Sequence, residues 1–360
     1  MDLITQAALG GLCGELTLRK QLGRKGLAWG CLFGILPDLD ILAYPWLDAA
    51  QRLSWHRGLS HSIIIMIFAA LLFGWLLAKL HKSKGVMQKQ ATWFVFITWL
   101  THVLIDAFTS YGTQVFEPFS SHRVAFNNIS IIDISFTIPM LFGLLAVMFF
   151  DKESKIREWI GGVTALWLCF YVIASLIIKH QAKIYFEEQL LVNGINPTRT
   201  MTAPTISNIF LWRMVAETNE HYHIGYWSLF DDSDRPLKLE TLAKGHDYLE
   251  KFDQFQETNT LKWFANNWHM IVPENKNSNT VLFIDLRFTE MVTADKKYPI
   301  FVWRLKTDAN DLQHLDFSPV SYRDQAPPKE TVQYLWQRII GSAPHWMDAT
   351  WPWQSQPLKQ

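Results

Sequence analysis

The hydrophobic pattern divides the chain into an apolar half and a polar half. Residues 1–180 are rich in Leu, Ile, Phe, Trp and Ala, and they contain uncharged runs of 17, 17 and 20 residues at 62–78, 134–150 and 159–178. Each run approaches or reaches the roughly 20 residues that a helix needs to cross a bilayer core of about 30 Å. A fourth apolar segment, 91–108, is similar. The pattern therefore predicts a polytopic membrane domain.

Two shorter apolar segments, 3–18 and 27–46, precede the first long run. The second is interrupted by Pro37, which lacks a backbone donor and disfavours helical geometry at Leu36. If both segments enter the membrane, the domain has six membrane segments, and if neither does, it has four. We therefore expect a membrane all-α helical bundle of four to six segments over residues 1–180.

Residues 181–360 hold most of the charge and predict a separate soluble α+β domain. Partial alternation of β-branched and aromatic residues predicts strands at 206–230, 280–288 and 298–305. Segment 241–268 is more helical in character. The many Trp and Phe residues of this half are explained by core packing at least as well as by a lipid-facing surface. The pattern thus indicates a fold class for this half but no function.

Lysine and arginine are distributed unevenly among the predicted loops. Loops 19–26, 79–89 and 151–158 contain 11 of these residues, whereas loops 38–61 and 109–133 contain three. The positive-inside rule places the first set in the cytoplasm, so the second set and the C-terminal half are expected to be extracytoplasmic. The formal net charge of the chain is zero, which gives no indication of nucleic-acid binding.

The N-terminus and the cysteines add two expectations. MDLITQAALGG carries an acid where a signal peptide would carry lysine or arginine, so we expect this segment to be retained as structure. Cys13, Cys31 and Cys169 lie in apolar segments, and their spacing indicates neither a disulfide framework nor a thiolate zinc site. We interpret them as small packing residues.

Polar residues interrupt the apolar pattern in several segments, all of them predicted on the extracytoplasmic side. PDLD supplies Asp38 and Asp40, which point the same way if the chain is extended after the proline. HRGLSHS supplies His56 and Arg57 in a loop and His61, which we expect in the first turn of the helix that follows. These residues are candidates for a shared site.

The next apolar segment adds His102 and Asp106, which are four residues apart and therefore share one helix face. Asp133 stands at the start of another apolar run. An aspartate near hydrocarbon costs about 2.5–3.5 kcal/mol, so it is expected to have a partner or a function. Imidazole nitrogen mixed with carboxylate oxygen suits zinc, with manganese or iron as alternatives, and disfavours calcium or thiolate sites.

Five motifs together resemble a known family. They are MDLITQAALGGLCGE, GILPDLD, HRGLSHS, THVLIDAFTSYGTQVFEPFSSHR and IIDIS. In order and spacing they are similar to the YdjM-like inner-membrane proteins, whose proposed activity is metal-dependent hydrolysis. The resemblance covers residues 1–150 and implies metal ligands or their close neighbours at Asp38, Asp40, His56, His61, His102 and Asp106. It also implies that the site is completed by Arg57, Thr109, Gln114, Arg123 and Asp133.

One position departs from the family pattern. Many relatives carry histidine at position 6, whereas this chain has Gln6 in TQAALG. Glutamine is a poor metal ligand, so one metal position is expected to be absent or filled by water. A distant link between the family and zinc-dependent phospholipases C implies phosphoester chemistry, although such a link concerns the family and not this chain.

The leading hypothesis is therefore an integral inner-membrane, metal-dependent hydrolase that acts at the extracytoplasmic face on a lipid or a lipid-linked or small-molecule phosphoester. Its cofactor is expected to be a divalent metal, zinc before manganese. Asp40 or Asp133 is the candidate general base, and Arg57 is the candidate for stabilising negative charge. The alternative is a non-enzymatic membrane scaffold or receptor whose polar cluster is structural. A transporter is disfavoured because the cluster is predicted at one membrane face and not at mid-membrane.

Overall fold

The chain divides into an N-terminal unit and a C-terminal unit. The N-terminal unit consists of Met1–Leu176 with Ile206–Asn208, and the C-terminal unit consists of Ile177–Thr205 with Ile209–Gln360. The computed structural model describes residues 1–232, 237–274, 279–307, 315–342 and 348–353.

The N-terminal unit is helical. Its helices are α1 (Leu3–Leu22), α2 (Arg24–Ile35), α3 (Ala49–Trp55), α4 (Ile63–Leu80), α5 (Gln88–Ala107), α6 (Ile134–Val147) and α7 (Lys155–Val192), and the boundary with the C-terminal unit falls within α7. Short 3₁₀ segments lie at Pro37–Trp46, Leu59–His61 and Lys82–Lys84. The sequence therefore predicted the helical character of this half correctly.

Within the described residues, α4 and α7 are long and apolar enough to cross a membrane, and α2 with the 3₁₀ segment Pro37–Trp46, bent by 46°, forms a third candidate. Helix α6 is apolar but has only 14 residues. Helices α1 and α5 have 20 residues each, but both carry buried polar side chains. In α1, Glu15 is buried against Arg157, whose Nε donates to Oε1 at 2.7 Å. A count of four to six membrane segments remains a prediction.

Glycines hold α1 and α2 together at very short range. They are spaced four residues apart, as Gly10 and Gly14 on α1 and as Gly26, Gly30 and Gly34 on α2. A Cβ atom on Gly30 would lie 2.1 Å from the Gly10 carbonyl oxygen, and one on Gly14 would lie 2.1 Å from the Gly26 carbonyl oxygen. Small residues at this spacing let helix backbones pack directly in membranes. This packing brings the C-terminal end of α2 against the beginning of α1.

The C-terminal unit is rich in β-sheet, as expected for this half. One antiparallel sheet has the order β1 (Arg199–Pro204), β2 (Leu211–Glu217), β3 (His221–Ser228), β4 (Glu240–Ala243). A second has the order β10 (Leu315–Val320), β9 (Val302–Thr307), β6 (Thr280–Asp285), β5 (His269–Pro273), and β7 (Met291–Val292) pairs with β8 (Lys297–Tyr298). Helices α8 (Gln256–Phe264) and α9 (Pro328–Ile339) complete the described elements.

The predicted strand at 206–230 contains two strands, β2 and β3, which form an antiparallel pair. All seven residues of β2 are buried. Burial on both faces removes the alternation that distinguishes one strand from the next in sequence. The segment predicted as helical, 241–268, contains α8 but also the end of β4 and a 3₁₀ segment.

His269 gives the C-terminal unit an expected sensitivity to acid. Burial lowers the pKa of His269 to about 3, and the nearby His246 lowers it further. The unfolded chain binds this proton near pH 6.5, so stability should fall as the pH falls from about 6.5 to about 3, by up to about 1.4 kcal/mol per pH unit. Phe283 stacks on the imidazole at a centroid distance of 4.5 Å, so the His269→Phe variant should keep the packing and lose this contribution. Urea unfolding followed by circular dichroism at pH 7 and pH 4 measures the difference, and equal pH dependence in both proteins would contradict the assignment.

Candidate metal centre

The PDLD motif lies in the 3₁₀ segment Pro37–Trp46 and not in an extended chain, as the sequence had led us to expect. Residues two apart in a helix with three residues per turn point to different sides. Asp38 therefore faces one direction and Asp40 another. This difference in local geometry separates the roles of the two carboxylates.

The HRGLSHS motif forms the connection between α3 and α4. His56 ends α3, Arg57 has a positive φ of 58°, and His61 lies in the 3₁₀ turn Leu59–His61 immediately before α4. A positive φ is uncommon for a residue other than glycine, and such residues cluster at functional sites. The backbone N–H of Arg57 donates to Asp40 Oδ2 at 3.0 Å, which fixes this conformation.

Four side chains meet in the interior of the N-terminal unit. Asp38, His61, His102 and Asp106 each bring one ligand atom to a common point, and these atoms lie within 4.8 Å of one another. His61 Nε2 lies 3.0 Å from His102 Nε2 and 3.3 Å from Asp38 Oδ1. It also lies 3.4 Å from Asp106 Oδ2. His102 Nε2 lies 3.5 Å from Asp38 Oδ1 and 3.6 Å from Asp106 Oδ2.

These separations suit a tetrahedral metal ion. Zinc binds histidine nitrogen and carboxylate oxygen at about 2.0–2.1 Å, which places the ligand atoms of a tetrahedron about 3.3–3.4 Å apart. The five distances given above range from 3.0 to 3.6 Å. The residues present therefore fit a divalent metal in both chemistry and spacing.

The hydrogen bonds of the two histidines leave their Nε2 atoms as acceptors. His102 Nδ1 donates to the Gly34 carbonyl oxygen at 2.7 Å, and His61 Nδ1 donates to Ser60 Oγ at 2.8 Å. A neutral imidazole that donates from Nδ1 carries a lone pair on Nε2. Two lone pairs that face each other at 3.0 Å cannot form a hydrogen bond, whereas a shared cation would satisfy both.

The two carboxylates show the same shortage of donors. Asp38 Oδ1 and Asp106 Oδ2 are buried and accept no hydrogen bond. Buried polar atoms normally have partners, so each exception requires an explanation. A metal ion between the four atoms would explain all of them.

Asp106 is held in place from its other side. Its Oδ1 accepts a hydrogen bond from Gln6 Nε2 at 2.8 Å and also contacts the Met1 amino group. Arg57 Nε lies 3.0 Å from Oδ2, and Arg57 Nη1 donates to Thr109 Oγ1 at 3.1 Å. Gln6 therefore orients a carboxylate of the four-atom group through its amide nitrogen, and Arg57 places a fixed positive charge beside the group.

Asp40 and His56 lie next to this group but are not part of it. Asp40 Oδ1 accepts a hydrogen bond from His56 Nδ1 at 2.9 Å, and Asp40 Oδ2 accepts one from Ser60 Oγ at 3.1 Å. Since Ser60 also contacts His61, Asp40 orients His61 through this hydroxyl. Ser60 and the Gly34 carbonyl were not identified from the sequence, because a serine within HRGLSHS gave only a weak signal and a backbone carbonyl gave none.

The structure does not bring Asp133 into the four-residue group. Asp133 caps the N-terminus of α6 through the N–H of Phe136, and it accepts hydrogen bonds of 2.8 Å from the Tyr171 hydroxyl. Gln114 donates to the Ser54 carbonyl at 2.8 Å, and Arg123 donates to the Gly112 carbonyl at 2.8 Å. These two side chains stabilise the loop around the site.

The group is reached from the side of Asp38. The side chain of Asp38 is 11% exposed, whereas those of His61, His102 and Asp106 are at most 1% exposed. The His56 side chain is 19% exposed. A small molecule or head group would therefore meet Asp38 and His56 first.

The chain belongs to the family described as YdjM inner membrane protein, whose model matches residues 1–182. This match confirms the resemblance found in the sequence motifs, and together with the apolar helices it supports a location in the membrane. The chain is also similar to a protein of Bacillus subtilis (strain 168) described as "Uncharacterized protein YfhP", with 22% identity over 266 residues, 70% of this chain and 74% of the relative. No solved structure gives a significant match.

Proposed function

We propose that this protein is a hydrolase dependent on a divalent metal ion, and that it acts on a lipid or lipid-linked phosphoester at the extracytoplasmic face of the inner membrane. The observation that carries the proposal is the group of four buried ligand atoms that accept no common proton and fit a tetrahedral ion. A divalent ion held there supplies a Lewis acid and water of lowered pKa. Zinc is the metal best matched to two imidazoles and two carboxylates.

The residues of the chain would divide the remaining tasks. Asp38, His61, His102 and Asp106 would hold the ion. Arg57 would stabilise negative charge that develops on the substrate, since its guanidinium already lies 3.0 Å from Asp106 Oδ2.

His56 is the group best placed to transfer a proton. Its Nδ1 donates to Asp40 Oδ1 at 2.9 Å, which leaves Nε2 able to accept a proton, and its side chain is exposed at the opening of the site. A histidine oriented by a carboxylate in this way is a common general base. We therefore propose His56 as the base and Asp40 as the residue that positions it, whereas Asp133 would act in the packing of α6.

The surroundings of the opening support a lipid substrate. Trp46 is 81% exposed and Leu42 is 64% exposed, in the same 3₁₀ segment as Asp38, and Phe119 in the neighbouring loop is 84% exposed. Tryptophan is enriched where protein meets the interface of a bilayer with water. The uneven distribution of lysine and arginine supports an extracytoplasmic position for this opening.

The proposal is tested by removing and restoring the metal. Detergent-purified protein should contain about one zinc or manganese ion per chain and should release head group or phosphate from phospholipid. Chelation should abolish the release, and adding back the metal should restore it. The His56→Ala variant should keep the metal and lose about 10²–10⁴-fold in rate. Release that survives both chelation and His56→Ala would contradict the proposal.

A non-enzymatic scaffold or receptor is the second candidate, and one observation favours it. Helix α9 exposes Val332 (63%), Trp336 (61%) and Ile340 (44%) along one line, with Ile340 just beyond its last residue. An exposed apolar stripe of this kind is typical of a binding surface. Under this hypothesis the chain would bind no stoichiometric metal, and metal analysis of the purified protein separates the two functions.

A further inference from the structure

An apolar groove lies on the N-terminal unit between α1, α2 and α6. Its volume is about 380 Å³, and its lining is aliphatic apart from the thiol of Cys31. Leu3 and Ile4 of α1 and Leu145 of α6 border it and are each more than half exposed. In a helical membrane unit such side chains face hydrocarbon, so the occupant of the groove must itself be a hydrocarbon.

One end of the groove adjoins the candidate metal centre. Ile35 lines this end, directly after Gly34, whose carbonyl accepts the hydrogen bond from His102, and three residues before Asp38. Ile4 lines the same end from α1, two residues before Gln6. A molecule in the groove would therefore have its upper end beside the four-residue group.

The other end of the groove lies at Leu27 and Met148, where Arg24 donates to the Met148 carbonyl at 2.6 Å. Leu27 and Ile35 are eight residues apart on α2, which corresponds to about 12 Å at 1.5 Å per residue. One leaflet of a bilayer with a core of about 30 Å contributes about 15 Å of hydrocarbon. The groove thus has the length of an acyl chain within one leaflet.

We infer that this groove binds one acyl chain of the substrate lipid and so holds the lipid's head group at the metal centre. The inference rests on the proposed function and narrows its substrate class, because it requires an acylated lipid and not a free phosphoester. A chain seated between Ile35 and Met148 would fix the position of the ester bond relative to Asp38 before any chemistry takes place.

The test fills the groove without touching the site. Ala7 lines the groove and is half-buried, so Ala7→Phe should exclude the acyl chain. Ala165 on α7 is also half-buried and does not line the groove, which makes Ala165→Phe a matched control. Leu145→Trp closes the groove from the opposite wall and serves if Ala7→Phe does not fold. All variants are purified as full chains in detergent, and their metal content is measured first.

Two substrates with one head group separate the contributions. With dioleoyl phosphatidylglycerol, Ala7→Phe should raise KM at least roughly tenfold, because several methylene contacts are lost. With dihexanoyl phosphatidylglycerol, whose chains are too short to fill the groove, kcat/KM should change little. Ala165→Phe should match the unmodified protein with both lipids. Equal losses with long and short chains, or no loss with either, would overturn the inference.

Native mass spectrometry provides a readout that does not depend on hydrolysis. The unmodified protein and Ala165→Phe should retain one dioleoyl phosphatidylglycerol per chain after detergent removal, and Ala7→Phe should retain none. If the protein binds the lipid in this way but hydrolyses neither substrate, the proposed function fails and the lipid site stands. If Ala7→Phe keeps the lipid and instead loses a dimer, the groove is an interface with a second copy and the inference fails.

Discussion

Asp38→Asn is expected to abolish metal binding while leaving the fold intact. The substitution preserves size but replaces a charged ligand oxygen by a neutral amide, in a carboxylate whose Oδ1 accepts no hydrogen bond in the protein. No internal partner is lost, and one of two neighbouring negative charges is removed. We expect less than about 0.1 zinc per chain, compared with about one in the unmodified protein, because a structural or catalytic zinc needs at least three protein ligands of suitable charge.

Thermal unfolding gives the same prediction a second measurement. At a free zinc concentration 100 times its dissociation constant, zinc should stabilise the unmodified protein by about 2.7 kcal/mol. Asp38→Asn should show no zinc-dependent increase in Tm. Without zinc its Tm should equal or exceed that of the unmodified protein, because the repulsion between Asp38 and Asp106 is relieved.

Asp40→Asn is the matched control, two residues away in the same 3₁₀ segment. Asp40 acts through Ser60 and His56, and the loss of such an outer partner typically lowers metal affinity 10–100-fold. At the same zinc concentration this variant should retain about 0.4–1.4 kcal/mol of stabilisation. If Asp40→Asn removed the metal completely and Asp38→Asn did not, the assignment of the four ligands would be wrong.

Sequence spacing predicted the parts of the site that belong to single helices. His102 and Asp106 are four residues apart on α5, and a regular helix places both on one face. Asp38 and Asp40 could not be assigned in the same way, because their relative direction depends on whether the chain after Pro37 is extended or 3₁₀. The local sequence PDLD is compatible with both geometries, and packing against HRGLSHS selects one of them.

Contacts between distant segments were beyond the reach of the sequence. Asp133 stands at the start of an apolar run, and nothing local distinguishes a helix cap paired with Tyr171 from a catalytic base. Likewise, Ser60 and the Gly34 carbonyl gain their roles only when α2 and α5 come together. The glycine spacing on α1 and α2 was readable in principle, and it is the one signal that could have predicted how α2 reaches the site.

Gly30→Ala is expected to have the second large effect, on both stability and metal binding. A Cβ atom at this position would lie 2.1 Å from the carbonyl oxygen of Gly10 and 2.9 Å from Cα of Gly11. Both are backbone atoms, so no rotamer change can relieve the overlap and the two helices must move apart. Overpacking of a well-packed interior typically costs about 1–3 kcal/mol, and a backbone overlap should lie at or above the upper end of that range.

The displacement should also reach the metal centre. Gly34 lies one turn beyond Gly30 on α2, and its carbonyl holds His102 Nδ1 at 2.7 Å. If α2 moves away from α1, this hydrogen bond lengthens and His102 loses its orientation, so zinc affinity should fall by about 10–100-fold. Zinc titration of the folded variant and its Tm in detergent measure the two effects.

Gly162→Ala makes the same substitution on α7, where a Cβ atom would meet nothing within 4 Å. Alanine has the higher helix propensity, by about 1 kcal/mol in water, so this control should be neutral or slightly stabilising and should bind zinc normally. Equal stability of Gly30→Ala and Gly162→Ala would show that α1 and α2 are not packed at the distance described. In that case the position of Gly34 beside His102 would also be wrong, because the same packing places both.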